Sequence, residues 1–166
     1  MVELAVVGAK KSGKTTVIEG LISYLIGEGY RVATIKHSSH LHRFDTHGKD
    51  SYRHRQAGAK LTIAMSNEEV AIFAQSGLLD VHQLQHMIRQ QIDIWIIEGD
   101  RRADHPKVLV TRNMKELLDV MPENIIATIG PERLGEVPTH FDERDYNGLG
   151  SFVCGAMLDK KTEIHE

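Results

Sequence analysis

The chain is poor in cysteine, proline and aromatic residues: its 166 residues include one Cys, four Pro and 5% Phe, Trp and Tyr. A lone Cys154 excludes an intramolecular disulfide framework, so the fold must rest on a buried apolar core, which a chain of this length can supply. No apolar run approaches the roughly 18 residues of a membrane-spanning helix. Met1-Val2-Glu3-Leu4 does not begin the basic-then-apolar pattern of an export signal. The expectation is a cytoplasmic protein with no membrane partner. Neither sign of charge dominates, with 20 Lys+Arg against 23 Asp+Glu and a net −3, which argues against nucleic acid as a partner. Repeats, low-complexity tracts and Pro/Gly/Ser linkers are also missing, so residues 1–166 are expected to form a single domain.

What is present is unevenly distributed. Between Lys36 and Lys60 stand six bases and two acids, a local +4 that leaves −7 for the rest. Five of the ten His (His37, His40, His42, His47, His54) fall in the same stretch. An acidic body carrying a basic insert points to a focused anion site.

Leu4-Ala5-Val6-Val7 is wholly apolar and ends at Gly8, as expected of a strand buried on both faces of a parallel sheet. From Thr15 the pattern becomes helical: Val17, Leu21 and Leu25, with Ile18, Ile22 and Ile26, form one broad stripe that stops at Gly27-Glu28-Gly29. Further strands are expected at residues 31–35, 61–65, 70–74, 92–97, 107–110 and 124–129, and helices at 50–59, 78–89, 114–120 and 146–158. The strands 61–65 and 70–74 are separated by Ser66-Asn67-Glu68-Glu69 and read as a β-hairpin insertion. Strands alternating with helices give an α/β fold with a mostly parallel central sheet flanked by helices.

Gly8-Ala9-Lys10-Lys11-Ser12-Gly13-Lys14-Thr15 matches G-x-x-x-x-G-K-[ST] without a mismatch, directly after a strand and directly before a helix. Glycines let backbone N–H groups wrap phosphates while the helix N-terminus adds its positive dipole end. Lys14 then neutralises the β- and γ-phosphates and the Thr15 hydroxyl is a ligand for Mg²⁺. The fold expectation becomes P-loop NTPase-like. A second acid is needed at the end of a neighbouring buried strand. Asp93 and Glu98 flank one, and Glu98 sits at the carboxyl end where ligands bind in such sheets. Guanine selection is not legible: the place where an Asn/Thr-Lys-x-Asp motif would fall reads Thr128-Ile129-Gly130-Pro131.

In the basic segment, Asp45 is a candidate to complete the Mg²⁺ shell through water, and Lys49, Arg53 and Arg55 to bind a second anion, Arg by bidentate pairing. On a helix Lys49 and Arg53 share a face, while Arg55 points elsewhere. The His residues lack the paired Cys or i, i+4 spacing of a structural zinc site. Two alternatives stay open from the residues alone: a small-molecule kinase whose acceptor sits on these bases, and a metal-delivery NTPase that uses the His-rich segment. Neither a Gln nor an Arg stands out in the motifs to orient water or to stabilise the transition state, so any hydrolysis is expected to be slow.

Taken together, Gly8-x-x-x-x-Gly13-Lys14-Thr15-Thr16, Thr34-Ile35-Lys36-His37, Phe44-Asp45-x-x-Gly48-Lys49-Asp50-Ser51-x-Arg53-x-Arg55-x-Ala57-Gly58-Ala59 and Ile97-Glu98-Gly99 resemble the MobB family of molybdopterin-guanine dinucleotide biosynthesis adaptors. The resemblance runs over about residues 2–99. It implies a homodimeric GTP-binding protein with weak Mg²⁺-dependent GTP hydrolysis that assists the guanylyl transferase MobA and contacts a phosphorylated pterin of the molybdopterin type. Ala9, Lys10, Lys11 and Ser12 would then join Gly8, Gly13, Lys14, Thr15 and Thr16 around GTP. Lys14, Glu98 and Asp45 would be the catalytic groups, and Thr15, Asp45 and Glu98 the Mg²⁺ site. Two motifs depart from the family pattern. Thr46-His47 replaces the usual x-Pro before Gly48-Lys49-Asp50, and Asp100-Arg101 replaces an aromatic residue and Lys after Glu98-Gly99.

Overall fold

Leu4, Ala5, Val6 and Val7 are all fully buried, as a run without polar alternation requires, and lie in the interior strand β1 (Val2–Gly8). The computed structural model describes residues 1–38, 44–116 and 121–158. In chain order, β1 is followed by α1 (Lys14–Gly27), β2 (Val32–Lys36), α2 (Asp50–Gln56), β3 (Leu61–Met65), β4 (Val70–Ala74) and α3 (Val81–Met87). After these come β5 (Ile94–Glu98), β6 (Lys107–Val110), β7 (Ile125–Ile129), β8 (His140–Phe141) and α4 (Tyr146–Val153). The chain divides into two compact units, one of Met1–His37 with Gln90–Glu166 and one of Ser38–Arg89.

In the first unit six strands form one sheet in the order β2-β5-β1-β6-β7-β8, and every neighbouring pair runs parallel. The expected α/β class and parallel sheet are borne out. Because the chain leaves β1 towards β2 on one side and later places β6 on the other, the loop after β1 emerges where the winding reverses. Ligands bind at such switch points. Alternation along β1 separates two apolar layers. Leu4 and Val6 pack with Val17, Ile18, Leu21 and Leu25 of α1 and Leu149 and Val153 of α4. Ala5 and Val7 pack on the opposite face with Ile97, Leu109 and Met114.

Val17, Ile18, Leu21 and Leu25 of α1 are buried as the stripe predicts, whereas Ile26 is 60% exposed. A repeat of four drifts by about 40° per step on a helix of 3.6 residues per turn, so the second row rotates out of the core. Helix α1 meets α4 through two glycines, each set against a tyrosine of the other helix. A Cβ at Gly20 would fall 2.4 Å from the Tyr146 ring, and one at Gly150 would fall 2.3 Å from the Tyr24 ring. The Asp145 carboxylate accepts from Gly148 N at 2.9 Å and starts α4, which continues as a π-helical turn over Cys154–Leu158.

Strand β8 has no counterpart in the sequence expectations. The helix expected at 114–120 is a 3₁₀ turn over Met114–Glu116, and its remainder lies outside the described residues. At the far end of the sheet Arg31 forks onto Asp93, with contacts of 2.8 and 3.0 Å, so Asp93 ties the start of β5 to the chain before β2. That hydrogen bond raises the Arg31 pKa above its ordinary value.

The second unit contains α2, α3 and the antiparallel hairpin β3–β4, whose strand bounds agree with the sequence expectation. Opposed pairs Ile63↔Ile72 and Met65↔Val70 share one face with Leu61. All five are exposed, from 45 to 77%. On the other face Phe73 lies under the Arg55 guanidinium, 5.5 Å from the ring centroid. Among the described residues no helix is long and apolar enough to cross a membrane.

Candidate functional site

Residues 8–15 join the end of β1 to the start of α1, and their backbone explains the sequence pattern. Gly13 caps α1 with φ 96°, a left-handed conformation that glycine adopts without strain, and Lys11 stands at φ 58°. A Cβ on Gly8 would lie 2.7 Å from Ser12 Oγ and 3.0 Å from the Val110 carbonyl, so the loop closes against β6 only with glycine there. Ser12 is 2% exposed, and its hydroxyl has no hydrogen-bond partner among the described residues. A buried unsatisfied hydroxyl is costly and marks a place where a polar ligand would repay it.

Of the groups expected here, Thr15 and Glu98 are brought into contact and Lys14 lies on the loop itself, whereas Asp45 belongs to the second unit. Lys14 Nζ folds back over the loop, donating to Ala9 O at 2.6 Å and Gly8 O at 3.2 Å. Thr15 Oγ1 donates to Glu98 Oε1 at 3.4 Å although the two are 83 positions apart in sequence. The parallel register that pairs Val6 with Glu98 and Lys36 with Glu98 brings these residues to one sheet end. Lys36 Nζ contacts the other Glu98 oxygen at 3.3 Å. The Thr15 hydroxyl and the Glu98 carboxylate are hard oxygen donors on one loop–strand junction, a donor set that fits Mg²⁺.

Beside the loop lies a cavity of about 200 Å³. Ser12, Gly13, Thr16, Gly130, Pro131 and Glu143 line it, and Glu143 pairs with Arg112. The segment 128–131, the sequence position where base selection was sought, therefore contributes to this wall. Glu143, Arg144 and Tyr146, which also line the cavity, carry no motif and could not be found by spacing.

Sequence reasoning also missed Arg101. Its Nη2 donates to Gly8 O at 3.2 Å, the same carbonyl that Lys14 uses.

From Ser38 onward the basic segment belongs to the second unit, while Lys36 and His37 belong to the first. Lys49 precedes α2 and is exposed. Arg53, also exposed, reaches Asp50 at 3.4 Å. Asp45 is buried, its side chain 2% exposed. It accepts from Ser51 Oγ at 2.9 Å and Arg55 Nη1 at 3.1 Å. Arg55 therefore points away from Lys49 and Arg53, as its helical spacing predicts, and is engaged with Asp45 and Phe73. Among the described residues no three His, Cys, Asp or Glu side chains are grouped to hold a metal ion. His40 and His42 lie outside the described residues.

Residues 3–130 match the family described as MobB, molybdopterin guanine dinucleotide synthesis protein B. The molybdopterin-guanine dinucleotide biosynthesis adapter protein of Haemophilus influenzae is 37% identical over 123 residues, covering 72% of this chain and 67% of the relative. The protein of the same description from Escherichia coli is 31% identical over 155 residues, covering 88% and 87%. Among solved structures, Bacillus subtilis MobB superposes with a TM-score of 0.78 at 26% identity, over 96% of this chain and 99% of that one.

Proposed function

The chain belongs to the MobB family, and from that premise we propose that it is a GTP-binding adapter of molybdopterin guanine dinucleotide biosynthesis that assists the guanylyl transferase MobA and hydrolyses GTP slowly. The observation that carries the nucleotide half of this reading is the convergence of Lys14, Thr15 and Glu98 on loop 8–15. Loop N–H groups and the α1 N-terminus hold the phosphates. Lys14 exchanges the Gly8 and Ala9 carbonyls for β- and γ-phosphate oxygens. Thr15 and Glu98 would hold Mg²⁺, which when bound would neutralise phosphate charge. The cavity walled by Gly130 and Pro131 receives base and ribose. In hydrolysis a water oxygen bonds the γ-phosphorus as the bridging P–O bond breaks, giving GDP and inorganic phosphate.

The adapter half is supported by two surfaces of the second unit. Lys49 and Arg53 offer exposed cations for a phosphorylated pterin. The exposed aliphatic face of the hairpin, with Ile63 opposite Ile72, suits a second copy of the chain, because an isolated two-stranded hairpin does not leave such a face in water at no cost. The test is a reconstituted synthesis with the guanylyl transferase. Lys49→Ala and Arg53→Ala are expected to keep GTP binding and to reduce the stimulation of dinucleotide formation. Full stimulation by both variants would overturn the assignment of the basic segment.

A further inference from the structure

After the strand-end acid Glu98 the chain is turned by two successive left-handed residues, Gly99 at φ 95° and Asp100 at φ 56°. A left-handed conformation at a non-glycine residue is unfavourable and persists where its surroundings hold it. Here Gly99 N donates to Val6 O at 3.0 Å, which turns the chain across the end of β1. Only glycine is suited to that position, since a Cβ would also stand 3.2 Å from His37 O. At the other end of the same loop the buried Lys107 ammonium donates to the carbonyls of Ala103 and His105. The loop is thus fixed at both ends, and the side chain it delivers to the phosphate loop is Arg101.

Arg101 Nη2 and Lys14 Nζ both donate to Gly8 O, each at 3.2 Å. Two cations converging on one carbonyl repel each other, and the Gly8 and Ala9 carbonyls that accept from them are neutral. Among the described residues no carboxylate pairs with Arg101. An arrangement that gathers a guanidinium and an ammonium at the mouth of a phosphate loop is complete when a multiply charged anion lies between them. The guanidinium fork matches the two free oxygens of a terminal phosphate, whereas Lys14 acts as a point charge.

We propose that Arg101 is an arginine supplied in cis to the terminal phosphate of the bound nucleotide: it exchanges the Gly8 carbonyl for two γ-phosphate oxygens. This rests on the reading of loop 8–15 as a triphosphate site. It makes Arg101 the group that tells triphosphate from diphosphate and that neutralises charge on the γ-phosphoryl oxygens as water attacks. A side chain that merely latched Gly8 would serve both nucleotides alike.

The experiment compares GDP with a non-hydrolysable GTP analogue, both with Mg²⁺, in wild type, Arg101→Ala and Arg101→Lys, with melting temperatures recorded for each. Arg101→Ala is expected to lose about 10-fold or more in affinity for the analogue, the size of a charge-assisted contact, while its GDP affinity stays within about 3-fold. Arg101→Lys is expected to fall between. The wild type is expected to trap GDP with aluminium fluoride and Arg101→Ala to fail to do so. An unchanged ratio of analogue to GDP affinity in both variants overturns the role of Arg101, even if both affinities fall together. Failure of the wild type to bind either nucleotide overturns the triphosphate reading itself, so the two failures are distinct.

Discussion

Thr15 Oγ1 and Glu98 Oε1 lie 3.4 Å apart across the junction of loop 8–15 with β5. One comes from the first residues of α1 and the other from the end of a buried strand, so sheet register rather than sequence proximity makes the pair. Thr15→Ala or Glu98→Gln removes one oxygen donor and leaves the loop backbone in place. Either variant is expected to weaken the Mg²⁺ dependence of GTP binding by about 10–100-fold, while binding measured with chelator present stays near wild type. Titrations of GTP with and without Mg²⁺ check this.

The crossing of α1 and α4 depends on the absence of two β-carbons. Gly20→Ala puts a methyl group 2.4 Å from the Tyr146 ring and has to move it. Overpacking of this kind costs about 1–3 kcal/mol. In a chain of this size that lowers the melting temperature by about 2–12 °C. Gly27→Ala, where nothing lies within 4 Å of the added carbon, is the control and is expected to melt close to wild type.

The hairpin face yields a prediction about assembly. Ile63 and Ile72 are directly opposed and 53% and 45% exposed, so Ile63→Lys and Ile72→Lys alter the surface without opening a cavity. The wild type is expected to sediment as a dimer and the double variant as a monomer with an unchanged circular dichroism spectrum. A monomeric wild type would contradict the role given to this face.

Much of the architecture was legible because it follows from local patterning. The unbroken apolar run of Leu4 to Val7 fixes a doubly buried strand, the glycines at 8 and 13 fix the loop, and Ser66-Asn67-Glu68-Glu69 separates the two hairpin strands. Pairing across the sheet is harder to read. β8 is two residues long and is held by Thr128 and Ile129 of β7, too short for any period to register. Asp100-Arg101 stood out in the sequence only as a departure from the family pattern; that Arg101 reaches Gly8 O depends on the left-handed turn at Gly99-Asp100, which sequence spacing does not specify. Glu143, Arg144 and Tyr146 join the cavity only because Asp145 starts α4 beside loop 8–15. The Gly20–Tyr146 and Gly150–Tyr24 contacts likewise belong to the helix crossing and leave no mark in either helix alone.

The measurement that tests the account most directly is equilibrium binding of Mg²⁺-GTP to wild type and to Lys14→Ala. Lys14 supplies the ammonium that lies on Gly8 O and Ala9 O at the centre of the loop. The account predicts that wild type binds GTP and that Lys14→Ala, still folded, loses about 10–100-fold in affinity, the range of a charge-assisted hydrogen bond. Equal affinity in the two proteins, or no binding by wild type, would contradict it.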